Sequence, residues 1–203
     1  PDTVAVTGVL SHSFGADQPG SVAWLTDGAP AGFSYEASGN DLLVKQGSVT
    51  VMTLSLDAST GAYAVTQNAA IMHEPGMDEN DQAFRVGYRV TDADGDSADG
   101  SLSIMVDDDT PVVSENATVY LDDDALAGGN AGGVGDQDPD VVAAIGTLGH
   151  SFGADQPGSV AWLTDGAPVG FSYEASGNDL LVKQGSVTVM TLALDAATGA
   201  YAV

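Results

Sequence analysis

The stretch Thr91-Asp92-Ala93-Asp94-Gly95-Asp96-Ser97-Ala98-Asp99-Gly100 has the residue types and spacing that speak most directly of chemistry. Carboxylates at alternate positions, with glycine between, let a chain fold its oxygens around one hard cation, as the first half of an EF-hand loop does. The spacing suits calcium better than magnesium, which demands a near-octahedral cage and keeps its waters. An EF-hand proper is excluded, because Ser103 stands where the bidentate glutamate would fall and the flanking residues are strand formers. Asp92, Asp94, Asp96 and Asp99 are therefore candidate Ca²⁺ ligands, with an acidic solvated hairpin turn as the plain alternative.

Two further acidic sets follow. Asp107-Asp108-Asp109 precedes Thr110-Pro111, and three adjacent carboxylates repel one another unless a cation lies between them. Glu115 and Asp122-Asp123-Asp124 could complete such a site from the far side of the junction. The alternative is a hydrophilic linker held open by repulsion. Asp136, Asp138 and Asp140 alternate after Gly132-Gly133-Val134-Gly135, which superficially resembles a glycine-rich calcium nonapeptide, with the Asp one position early and no serial repeat.

Catalytic chemistry finds no such footing. His12, His73 and His150 have no metal-like spacing, and His73-Glu74-Pro75-Gly76 reads as a turn carrying a surface histidine. There is no GxSxG, no Walker loop and no HExxH. Paired carboxylates for glycoside hydrolysis have no motif that organises them into a cleft. The chain is read as a non-enzyme. Trp24 and Trp162 read as core or rim aromatics; an exposed cluster of Trp24, Phe33 and Tyr35 would favour a module that itself binds a surface glycan or protein.

The elements that must position these acids are β-strands. Short runs rich in Val, Leu, Thr and Tyr recur between Gly, Asp, Asn and Pro clusters at roughly ten-residue spacing, the mark of a sandwich or barrel. Strands are predicted at 3–10, 20–25, 32–37, 41–46, 48–56, 62–67, 83–91, 101–106 and 117–121. Phe84, Val86, Tyr88 and Val90 alternate with Arg85, Gly87 and Arg89, so the first set should face a core. Hairpin turns are predicted at 37–40, 46–48 and 57–61.

The order of these strands repeats. Residues 148–203 restate residues 10–65 with four substitutions in 56 positions: Ser11/Gly149, Ala31/Val169, Ser55/Ala193 and Ser59/Ala197. The offset, 138 residues, is the size of a whole domain and too long for a solenoid unit. The boundary is placed at Pro111, which lacks an amide donor and blocks strand continuation. Residues 1–110 then form one repeat lacking about 28 residues at its start by the register of the copies, and 111–203 the next, lacking its last strands. Its missing strands could be borrowed from another molecule, giving a strand-swapped assembly.

Charge fixes the company such a chain can keep. There are 29 acidic residues against four basic ones, Lys45, Arg85, Arg89 and Lys183, for a net charge of −25. That balance excludes nucleic acid and anionic membrane surfaces as partners, and its self-repulsion calls for cations if the chain is to compact. Cysteine is absent, so metal is the candidate staple. No run of 18 apolar residues occurs, so no membrane insertion is expected.

At TDADGDSADGSLSIMVDDDTPVV the sequence resembles the tandem repeats of type I-secreted, RTX-type bacterial surface adhesins, and Leu54–Tyr63 resembles their L-x-L-(D/N)-x-x-T-G-x-Y hairpin. The DDDTP junction is similar in kind to cadherin calcium linkers. The resemblance implies an all-β fold of immunoglobulin-like β-sandwich repeats in tandem, joined by an acidic calcium-binding linker. It also implies export to the extracellular bacterial surface and a role as an extender, with neighbouring repeats of the same chain as the partners. By carry-over, Asp92, Asp94, Asp96, Asp107 and Asp109 are the ligands it favours.

Overall fold

The computed structural model describes residues 3–74, 76, 80–130, 132–136, 141–154 and 156–203. It is all-β, and the one helical element among the described residues is a 3-10 turn at Asp123–Ala125. No described helix is long and apolar enough to cross a membrane. The chain divides into two compact units, Pro1–Thr110 and Pro111–Val203.

The first unit contains β1 (Ala5–Val9), β2 (Ser21–Trp24), β3 (Phe33–Ser38), β4 (Asp41–Gln46), β5 (Val49–Leu56), β6 (Ala62–Gln67), β7 (Gln82–Thr91) and β8 (Ser97–Val106). Two antiparallel sheets result, ordered β1-β6-β5-β4-β3 and β2-β7-β8. Tight turns set the register of the first. Ser38 pairs with Asp41 across Gly39-Asn40, and Gln46 with Val49 across Gly47-Ser48, with positive φ at Gly39 and Gly47. At the third turn the Asp57 carboxylate accepts from the Ser59 hydroxyl and from the Ser59 and Thr60 amides. Those bonds, the Ser59 hydroxyl first, hold its pKa below the ordinary carboxylate value.

Alternation along the strands turns one face of each sheet inward. Tyr35, Leu42, Val44, Met52 and Leu54 from the first sheet meet Phe84, Val86 and Val106 from the second, so this unit is a sandwich. The Phe33 and Phe84 rings meet edge-on at 4.9 Å across the two sheets, adding about 0.5–1.5 kcal/mol beyond the area they bury. A β-bulge between the Val44–Met52 and Lys45–Thr50 pairs lets consecutive residues, Val51 and Met52, both be buried. A smaller cluster of Leu10, Val22, Leu56 and Tyr88 closes one end.

Tyr88 shows how tight this end is. Its ring lies over Gly100, its partner on β8, and its hydroxyl donates to the Ser11 carbonyl at 2.8 Å. A Cβ at Gly100 would collide with the ring. Gly100→Ala is expected to lower the stability of this unit by about 1–3 kcal/mol in urea unfolding. Gly133→Ala in the second unit, where a Cβ has open space, should leave the stability of that unit unchanged.

The second unit contains β9 (Val112–Val113), β10 (Ile145–Thr147), β11 (His150–Ser151), β12 (Phe171–Ser176), β13 (Asp179–Gln184), β14 (Val187–Leu194) and β15 (Ala200–Ala202). Its main sheet, β10-β15-β14-β13-β12, repeats the five-stranded sheet of the first unit, bulge included, and β9 pairs with β11. Two strand expectations change. Residues 117–121 form no strand, and the short extended run at 112–113 takes the available partner instead. Ser97–Gly100, expected as turn, extends β8, because β7 and β8 pair without interruption from Gln82–Val106 to Thr91–Ser97.

Candidate metal centres

The antiparallel pairing of β2 with β7 sets Ser21 opposite Thr91, so the chain entering β2 lies beside the chain leaving β7. The turn after β7 is organised by Asp92. Its amide donates to the Asp96 carbonyl at 3.0 Å, and its Oδ1 accepts from the Gly95 and Asp96 amides at 3.2 and 2.9 Å. Gly95 supplies the positive φ of 102° that closes the turn. The Ala93 amide donates to the Asp17 carbonyl at 3.1 Å and ties the two segments together. Asp17, Asp92 and Asp94 consequently each present a carboxylate oxygen, all within 4.8 Å of one another, with Asp17 and Asp94 exposed and Asp92 half-buried.

Of the acids singled out in this turn, Asp92 and Asp94 are thus brought together, and Asp96 and Asp99 lie outside the group. Asp99 stands on β8 opposite Arg89 and accepts from its Nε and Nη2 at 2.7 and 2.8 Å. That bidentate pair, hydrogen bonds foremost, holds the Asp99 carboxyl below the ordinary value and the Arg89 guanidinium above its own. A group whose folded pKa is depressed stabilises the fold above its unfolded value and loses that contribution as pH falls through the folded one. NMR titration should therefore find Asp99 titrating below 3.8, with Arg89→Gln moving it back up and leaving Asp57 low. An Asp99 midpoint that ignores the substitution would refute the pairing as the cause.

Asp17 escaped sequence reasoning because it stands 75 positions before Asp92, and only the β2–β7 pairing unites them. The signal available was the strand prediction at 20–25, which could have been paired with 83–91.

A second group lies in the other unit. Asp122 caps the 3-10 turn, its Oδ1 accepting from the Asp124 amide at 3.2 Å, while its own amide donates to the Val141 carbonyl at 2.8 Å. Gly132 and Gly135, both at positive φ, bring the chain back so that Asp136 joins Asp122 and Asp124, again with one oxygen each within 4.8 Å. Asp122 and Asp124 are half-buried and Asp136 is exposed. The sequence offered 122–124 and 136–140 as separate sets; the fold joins their members. Asp123 is outside the group, Glu115 is exposed on the extended segment, and Asp138 and Asp140 lie outside the described residues.

Among the described residues Asp107, Asp108 and Asp109 belong to neither group. Asp108 is instead nearly buried, its Oδ1 accepting from the Asp109 amide and standing 3.9 Å from His73 Nε2. His73, expected on the surface, has a side chain only 6% exposed, and its Nδ1 donates to the Asn80 carbonyl at 2.7 Å. The aromatics also turn inward. Tyr35 is buried and Phe33 packs on Phe84, so Trp24, Phe33 and Tyr35 form no exposed platform.

The sandwich of the first unit, from β1 almost to the end of β8, coincides with a family match. The family described as Domain of unknown function (DUF5801) matches residues 1–105. The chain belongs to that family. The matched span of the DUF5801 domain carries Asp17, Asp92 and Asp94 and stops short of Asp107. No curated protein and no solved structure matches the chain.

Proposed function

We propose that this chain is part of a calcium-dependent extender, a tandem array of immunoglobulin-like sandwiches in a large secreted RTX-type bacterial surface adhesin. The array holds a distal ligand-binding region away from the cell, is exported by a type I system, and takes Ca²⁺ as its structural cofactor. The observation that carries the reading is that, among the described residues, each unit gathers three carboxylates, in the first unit from segments 75 positions apart, in a chain with net charge −25. Such groupings repel unless a cation lies among them, and oxygen-only donors suit a hard one. The domain-sized repeat and the resemblance around Asp92–Pro111 support the array and the adhesin context.

The mechanism is electrostatic. Low calcium leaves the acids mutually repelling and the array loose. Extracellular modules bind calcium with Kd of about 10⁻⁴ to 10⁻³ M, so external calcium fills the sites and stiffens the array. Small-angle scattering from an array of several consecutive repeats tests it: maximum dimension and stiffness should rise on replacing chelator with calcium. An array equally flexible in both refutes the extender.

A further inference from the structure

The two five-stranded sheets have nearly the same sequence and very different surroundings. In the first unit Val51 and Met52 are each 1% exposed; their copies Val189 and Met190 are 49% and 36% exposed. Phe33 lies half-buried against Phe84, whereas Phe171 is 39% exposed. Val49 and Val187, at the start of the strand in the row of Phe33 and Phe171, are exposed in both, at 52% and 61%. The loss of cover is largest at residues whose copies line or pack on the core of the first unit. None of the four substitutions between the copies falls on these residues.

What covers that face in the first unit is known residue by residue. The β7–β8 hairpin presents Phe84, Val86 and Val106 to it, and β2 adds a strand by pairing with β7. The 203 residues hold no second copy of that hairpin. Accordingly Ser159–Trp162, identical to β2, forms no strand. It is nonetheless held in place, since the Val160 amide donates to the Ala196 carbonyl at 2.8 Å, as the Val22 amide does to Ala58.

From this contrast we infer that the open face of the second unit is the seat of a β-hairpin with the Gln82–Val106 sequence, the segment that covers the twin face in the first unit. The recognition is β-augmentation joined to a side-chain fit. The hairpin gives backbone hydrogen bonds to 159–162, and its Phe84, Val86 and Val106 positions fill the face lined by Phe171, Val189 and Met190. The occupant follows from the identity of the two faces, and the inference is independent of the calcium reading.

Hydrogen exchange on two proteins tests it: the 203-residue chain, and the same chain carrying a second copy of residues 66–110 after Val203. The appended segment should slow exchange at 159–162 and 187–194 on the order of tenfold or more, leaving 49–56 unchanged. Phe84→Asp placed in the appended copy alone should abolish that protection. A synthetic 80–110 peptide added to the 203-residue chain should protect the same residues at one peptide per chain. Unchanged exchange in the extended chain overturns the inference. So does concentration-dependent dimerisation of the 203-residue chain that already protects 187–194, which would make a second such face the occupant.

Discussion

Ten millimolar calcium added to chelated protein should raise the melting temperature of the first unit by about 5–20 °C. With Kd between about 10⁻⁴ and 10⁻³ M, a single site binding only the folded state contributes about 1.4–2.7 kcal/mol at that concentration. Each kcal/mol moves the midpoint of a domain near 100 residues by about 4–8 °C. The site invoked is the Asp17, Asp92 and Asp94 group. Asp92 already serves the turn through two amide hydrogen bonds, so its substitution would confound folding with binding. Asp17→Asn and Asp94→Asn are the cleaner variants, and each should remove most of the calcium-dependent gain while leaving the melting temperature in chelator unchanged or raised, since a repelling charge is gone. Asp99→Asn should leave the gain intact, because Asp99 is engaged by Arg89. Identical melting in calcium and in chelator would defeat the calcium reading.

Met52→Ala and its twin Met190→Ala should differ widely despite identical local sequence. Met52 is 1% exposed between two sheets, and removing such a side chain leaves a cavity costing about 2–5 kcal/mol. Met190 faces outward, and its loss should cost about 1 kcal/mol or less. Because the units need not unfold together, exchange or NMR readouts assigned to each unit are required, not one global transition. Equal losses at both positions would mean that the second sheet is covered in solution.

Much of the fold was legible from alternation. The inward set Phe84, Val86 and Tyr88, the Gly39 and Gly47 turns, and the bounds of β4 and β6 follow from period-two hydrophobicity and turn residues, both local properties. What local patterns do not carry is pairing. The 117–121 run has strand-like residues but no partner, and Ser159–Trp162 has the sequence of β2 without its hydrogen-bonding neighbour. The candidate site divides the same way. Asp92 and Asp94 were visible in one loop; Asp17, and the meeting of Asp122 and Asp124 with Asp136, depend on contacts that only folding creates. Asp99 was a plausible ligand by spacing, and Arg89 engages it because cross-strand register sets the two opposite each other.

The pairing of Val22 with Val90 also bears on how the array reaches its folded state. Val90 lies 68 residues after Val22 and 70 residues before Val160, the copy of Val22. Loop-closure entropy rises only with the logarithm of length, so it gives the β7–β8 hairpin no preference between the strand behind it and the one ahead. Side-chain fit gives little more, since both seats share one sequence. Order of folding must then choose, and exchange between adjacent copies is the misassembly to which near-identical neighbours are prone.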